Sequence, residues 1–112
     1  MIADCCARQG AVEDYPFGDG AAVFKVAVKM FALVSLGLPP GSVSLKCDPD
    51  LAVELRGRYP AITAGYHLSM RHWNTVQLDG SVPDQELIEM IDHSYELVVA
   101  GLTRAERNKL ST

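Results

Sequence analysis

The feature that most restricts the fold is a series of strand-like segments with no helix between them. Residues 21–26 and 29–36 are rich in β-branched, aromatic and aliphatic side chains, and only Ala27 and Val28 separate them. Residues 42–47 alternate between apolar and polar side chains, as in a half-buried strand. Strands that follow one another so closely pair antiparallel. They predict an antiparallel sheet, although neither turn residue is the glycine or asparagine that a tight hairpin prefers.

Two helices are indicated after the third strand. The first begins at Asp48, an N-cap acceptor followed by proline, and ends at Pro60. The second follows Ser81, which starts a Ser-x-x-Asp capping box, and ends near Gly101. Its acidic side chains lie mainly off an apolar stripe that has helical spacing. The stripe consists of Leu87, Ile88, Ile91, Tyr95 and Val98.

Weaker signals complete the chain. Residues 2–9 fit a short first helix, and residues 14–20 fit a turn-rich segment whose aromatic side chains anchor it on the core. Residues 73–78 fit a further strand, and Thr103 with Glu106 offers a capping box for a short terminal helix. We therefore predict an α+β fold: a single domain over residues 1–112 with an antiparallel sheet and helices packed on one face.

Composition restricts the class of protein. The chain has 112 residues, 48% hydrophobic and 21% charged, as is ordinary for one globular domain. It has no apolar run near the ~20 residues that span a bilayer, and no signal peptide is apparent. Three cysteines, two of them adjacent, predict reduced thiols. His67 and His72 have the spacing of half a zinc site but no cysteine pair to complete it. We expect a cytoplasmic protein with no membrane contact, metal or cofactor.

The net charge of −4 is unevenly distributed. Residues 20–78 carry six Lys or Arg against three acids, whereas residues 79–106 carry one Arg against seven acids. A solvated acidic helix beside a polar sheet explains this pattern. The pattern also fits a basic sheet surface that meets a polyanion while acidic helices lie on the far side.

Catalytic motifs are few. The chain has no glycine-rich phosphate loop and no nucleophile elbow. His67 and His72 each have the chemistry of a general base, but no serine or cysteine is visibly paired with either. Cys47 falls on the apolar side of its strand and is expected to be a core residue. These residues favour a binding protein over an enzyme.

Residues 71–75 form the most unusual stretch. Arg71, His72 and Trp73 supply a cation, a switchable donor and a stacking ring in succession. Alternation places His72 and Asn74 on the face opposite Trp73. The stretch either caps the core and holds a loop, or forms a nucleic-acid contact strip with Arg71 on phosphate and His72 or Asn74 reaching towards a groove. If their strand faces are shared, the strip also includes Lys25, Lys29 and Lys46.

Seven segments occur in a distinctive order: EDYPFG (13–18), FKV (24–26), KMFAL (29–33), VSLKCDP (43–49), GYH (65–67), RHWNTV (71–76) and IDHSYELV (91–98). They resemble the MmcQ/YjbR family of small bacterial proteins, and the likeness runs from Tyr15 to about Arg107. The chain departs from the family pattern in two places. Ala27-Val28 stands where the family commonly has a glycine, and Met70 stands where it commonly has a lysine.

The resemblance implies an α+β fold of the kind grouped with type III secretion chaperones, and a proposed double-wing DNA-binding role. We therefore expect a non-enzymatic domain that binds double-stranded DNA weakly. The residues expected to make the contacts are Lys25, Lys29, Lys46, Arg71, His72 and Trp73. The alternative is a protein-interaction or chaperone-like module whose sheet binds a peptide or a second copy. An enzyme that uses His67 or His72 as its base ranks third.

Overall fold

The computed structural model describes residues 5, 7–16, 20–35, 37, 40–65 and 69–110, with only the backbone of Leu110. The strands are β1 (Val12–Asp14), β2 (Ala21–Val26), β3 (Lys29–Ser35), β4 (Ser42–Lys46), β5 (Ile62–Ala64) and β6 (Trp73–Gln77). They form one sheet in the order β1-β2-β3-β4-β6-β5, and each neighbouring pair is antiparallel. The helices that follow β4 and β6 are α1 (Pro49–Arg58), α2 (Asp84–Ala100) and α3 (Arg104–Leu110).

Helices α1 and α2 pack on the same face of the sheet. Phe24 of β2 and Leu45 of β4 face them and are almost fully buried, as are Leu55 of α1 and Ile91 of α2. Burying an aliphatic or aromatic side chain of this size stabilises the folded state by roughly 1.5–3 kcal/mol. The predicted α+β fold is confirmed. We call the opposite side of the sheet the open face.

A β-bulge and a buried serine fix α2 on the sheet. The register between β2 and β3 shifts at Phe31, which becomes the extra residue of the bulge. Its ring meets Tyr95 of α2 edge-on, with the ring centroids 5.4 Å apart. The Ser94 hydroxyl donates to the Phe31 carbonyl at 2.5 Å and accepts the N–H of Lys46 at 2.9 Å. One side chain of α2 therefore bonds to two strands.

The β2–β3 hairpin turns through two residues in the left-handed region. Ala27 has φ 49° and Val28 has φ 62°, a conformation that disfavours a β-branched residue. The Val28 side chain is 86% exposed, so packing offsets little of this cost. We expect the double substitution Ala27→Asn/Val28→Gly to raise the free energy of unfolding by about 1–2 kcal/mol, measured by urea unfolding. A decrease would contradict the left-handed turn.

Two strands were not predicted from the sequence, and both lie at edges of the sheet. β1 pairs with β2, and β5 pairs with β6. Tyr15, predicted to anchor the following turn on the core, is 44% exposed, and its predicted partner Phe17 lies outside the described residues. Cys5 is helical, but most of the predicted helix over residues 2–9 is likewise outside them or in turns.

The helix starts follow the predicted signals only in part. The capping box predicted at the start of α2 is wrong, because the N-cap is Pro83 and the Ser81 hydroxyl donates to Asp79 at 2.6 Å. The box at α3 is confirmed, since the Glu106 carboxylate accepts the N–H of Thr103 at 2.9 Å and the N–H of Glu106 donates to the Thr103 hydroxyl at 3.2 Å. No helix in the described ranges is long and apolar enough to cross a membrane.

Candidate nucleic-acid interface

One end of the open face carries two of the predicted lysines and the tryptophan. Lys46 ends β4 and lies directly opposite Trp73, the first residue of β6. Lys25 of β2 lies on the same face of the sheet as Lys46. The two strands are separated by β3, so the backbones at Lys25 and Lys46 are roughly 10 Å apart. The Lys25 ammonium is 3.4 Å from the Asp14 carboxylate of β1. Lys46 has no ion pair among the described residues.

The turn before β6 adds Arg71 and His72 at the same end. The N–H groups of His72 and Trp73 donate to the Ser69 carbonyl at 3.2 and 2.9 Å, which closes the turn. The His72 carbonyl accepts the N–H of Cys47 at 2.7 Å, which holds the turn beside the end of β4. Arg71 and His72 are both exposed. We call this set of five residues the tip surface: Lys25, Lys46, Arg71, His72 and Trp73.

Lys29 does not share the open face. It pairs with Val26, which is fully buried on the helix side, and its Nζ lies 3.5 Å from the carbonyl of Gly101 after α2. A two-residue turn pairs residue 26 with residue 29, so Lys25 and Lys29 necessarily point to opposite faces. The predicted contact strip therefore lacks one of its lysines.

Asn74 points into the core and not towards a groove. Its side chain is 0% exposed, and its amide donates to the Ala52 carbonyl of α1 at 3.3 Å. Of the two residues expected to reach a groove, only His72 is accessible. His67, the other histidine considered as a base, lies outside the described residues.

A separate feature lies on the helix side of the sheet. A partly open pocket of about 170 Å³ lies between α1, α2 and the end of β4. Its α2 wall is formed by Glu86, Glu89, Met90 and His93, none of which was predicted to form a site. Their spacing of i, i+3, i+4 and i+7 places them on one side of the helix, and this is the signal by which they could have been found. In the described ranges, no three His, Cys, Asp or Glu side chains lie close enough together to hold a metal ion.

Cys47 lies in the lining of this pocket. It is 5% exposed and unpaired, as predicted for a core residue. Burial, and secondarily the negative charge of Asp48, raises the pKa of the thiol from 9.0 to about 11. At neutral pH the side chain is therefore an uncharged thiol, which is a poor nucleophile.

This raised pKa makes stability depend on pH in a defined direction. The unfolded chain loses the Cys47 proton at a lower pH than the folded chain, so stability is lost as pH rises from about 9 to 11. Relative to Cys47→Ala, the wild type is expected to lose on the order of 2 kcal/mol over this range. Urea unfolding of both proteins at stepped pH measures the difference. A constant difference would contradict the shifted pKa.

The sequence of the chain matches a protein-family model and several related bacterial proteins. The YjbR family model matches residues 7–97. "Uncharacterized protein YjbR" of Escherichia coli K12 is 37% identical over 110 residues, which cover 98% of this chain and 92% of that protein. The chain belongs to the YjbR family. The resemblance seen in the sequence is thereby confirmed.

Solved structures extend the YjbR comparison to the fold. The crystal structure of Deinococcus radiodurans protein DR2400 matches with a TM-score of 0.90 at 42% identity, over 97% of this chain and 83% of that one. A crystal structure of a Pseudomonas syringae protein matches with a TM-score of 0.73 at 27% identity, over 86% and 93% of the two chains. The names of these relatives state no activity, so the function of this YjbR protein has to be argued from its own residues.

Proposed function

We propose that this YjbR-family protein is a non-enzymatic domain that binds double-stranded DNA weakly through the tip surface. The observation that carries the proposal is the pairing of Lys46 with Trp73 on the open face, beside the exposed turn that holds Arg71. The two cations can contact phosphate oxygens, and the tryptophan ring offers a flat apolar surface to sugar or base. His72 adds a hydrogen-bonding ring at the same end.

The positions of the charged side chains limit the strength of this binding. Lys25 is paired with Asp14 and Lys29 lies on the other face, which leaves Lys46 and Arg71 as the principal phosphate contacts. Two contacts give a slope of roughly −1.8 for log affinity against log salt, so raising salt from about 50 to 200 mM weakens binding about 12-fold. The acidic helix α2 lies on the opposite side of the sheet and faces away from a duplex docked here.

We expect the double variant Lys46→Ala/Arg71→Ala to lose most of its affinity for a labelled 20-base-pair duplex. The measurement is fluorescence anisotropy as salt is raised from about 50 mM, where phosphate contacts are strongest. The expected loss at the lowest salt is about 10-fold or more, and the salt slope should approach zero. The matched control is Lys29→Ala/Arg104→Ala, which removes the same charge from residues outside the tip surface and should bind nearly as the wild type does.

Two outcomes would count against the proposal. One is the absence of any binding by the wild type at about 50 mM salt. The other is an equal loss in both double variants, because that would reflect net charge and not the position of Lys46 and Arg71.

A protein-binding role is the second candidate, favoured by apolar side chains at the same end of the sheet. Val28 is 86% exposed and Met70 is 65% exposed. A partner protein would bury such side chains with little dependence on salt. Sedimentation velocity tests the simplest partner, a second copy. A concentration-dependent dimer that the double variant Val28→Ser/Met70→Ser abolishes would support this role, and a monomer at about 1 mM would exclude self-association.

A further inference from the structure

The pocket on the helix side has an apolar body of definite size. Leu45 of β4, Leu51 and Leu55 of α1 and Met90 of α2 contribute its aliphatic lining. Its volume is about 170 Å³. Apolar protein cavities of about 150 Å³ hold a molecule the size of benzene. The pocket therefore has room for one six-membered ring or an aliphatic group of similar size.

Asn74 adds an unsatisfied acceptor to this lining. The side chain is 0% exposed, and its Oδ1 has no hydrogen-bond partner in the described part of the chain. The orientation of the amide follows from its other bond, because the Ala52 carbonyl can only accept and must face the NH₂ group. A buried carbonyl oxygen without a donor is unfavourable. A donor on a bound molecule would therefore be stabilised at this point.

The mouth of the pocket is acidic. Glu86 and Glu89 both line it. The Arg58 guanidinium lies 3.7 Å from Glu86 and offsets that charge, whereas Glu89 accepts a hydrogen bond at 3.5 Å from the neutral side-chain amide of Gln85. Nε2 of His93 accepts the N–H of Asp48 at 3.3 Å, so this ring nitrogen already has a partner within the protein. The mouth therefore favours a cation.

From these features we propose that the pocket binds a small primary amine with an aromatic or compact aliphatic body. The ammonium group lies at Glu89, the body packs on Leu51 and Met90, and a hydroxyl at the far end donates to Asn74 Oδ1. Lys46 is part of the lining, but its side chain belongs to the open face opposite Trp73 and does not oppose the ligand's charge. The pocket shares Lys46 with the tip surface but lies on the helix side of the sheet, and the proposal does not depend on DNA binding.

The first test is a titration of the ¹⁵N-labelled full-length protein with phenethylamine, followed through the amide chemical shifts. We expect saturable shifts centred on Leu51 and Met90, with a Kd on the order of 1 mM. Phenylacetate has a similar body and the opposite charge, and should bind about 10-fold more weakly or not at all. Tyramine adds a hydroxyl at the far end and should bind about 5-fold more tightly, because that hydroxyl reaches Asn74.

Two variants of α2 distinguish the effect of a negative charge at the pocket from the effect of the total negative charge of the protein. Glu89→Gln should weaken phenethylamine binding about 5-fold and remove the preference over phenylacetate. Glu96→Gln removes the same charge from an exposed position of α2 outside the pocket lining and should leave the affinity unchanged. No shifts up to about 10 mM phenethylamine, equal binding of phenylacetate, or equal effects of the two variants would overturn the proposal. Tyramine binding no tighter than phenethylamine would overturn the role of Asn74.

Discussion

The variant Phe31→Ala is expected to lower the free energy of unfolding by about 3–5 kcal/mol. Phe31 is 0% exposed, and its ring meets Tyr95 of α2 edge-on. Truncation removes the buried apolar surface and leaves a cavity between β3 and α2. It also removes the edge-on ring contact, worth roughly 0.5–1.5 kcal/mol beyond the area buried. The loss is large for a domain of this size, whose total stability is about 5–15 kcal/mol.

Urea unfolding followed by circular dichroism measures this effect. The control is Val53→Ala, which truncates an apolar side chain on α1 that is 63% exposed and should change stability by no more than about 0.5 kcal/mol. Tyr95→Phe keeps the ring and should retain the edge-on contact. A loss below about 1 kcal/mol for Phe31→Ala would show that the residue does not occupy the core position described here.

The variant Gly65→Ala is expected to destabilise the protein by about 3 kcal/mol, because the new methyl group has no room. A Cβ at Gly65 would lie 2.7 Å from the Cβ of Trp73 and 3.1 Å from the Trp73 carbonyl oxygen. The backbones cannot separate freely, since the N–H of Gly65 donates to that same oxygen at 2.8 Å. Trp73 is the single tryptophan of the chain, so its fluorescence reports both unfolding and any local shift.

Gly57→Ala provides a matched substitution with the opposite expected sign. Gly57 lies within α1 and is exposed. A Cβ added at this position would have no atom within 4 Å. Alanine at a helix position is favoured over glycine by about 0.5–1 kcal/mol, so this variant should be more stable than the wild type. If Gly65→Ala were as stable as the wild type, or more stable, the close approach at Gly65 would be contradicted.

The strands that could be predicted from the sequence are those with enough residues to show a pattern. β2, β3, β4 and β6 each have five to seven residues, and all were predicted to within a residue or so. β1 and β5 have three residues each, too few for alternation to be recognised. Each of them forms because the longer strand beside it supplies backbone N–H and C=O groups as hydrogen-bond partners. These partners are in place only once the sheet has assembled.

The candidate sites show the same limit. The pairing of Lys46 with Trp73 depends on a register between strands that are 27 residues apart, which no local pattern specifies. The position of Lys29 could have been read from the two-residue turn, because such a turn fixes the pairing of the residues beside it. The pocket needs α1, α2 and β4 together, and the unsatisfied Asn74 oxygen appears only once its neighbours are in place.

The short length of the two edge strands has a consequence for behaviour at high concentration. Each offers only three residues to an incoming strand, and prolines at positions 16 and 60 lie just beyond them. Proline has no N–H to donate, so a foreign strand that docks at either edge cannot extend its pairing past these points. Neither edge is an effective template for fibril growth, although β1 and β5 each have a strand neighbour on one side only.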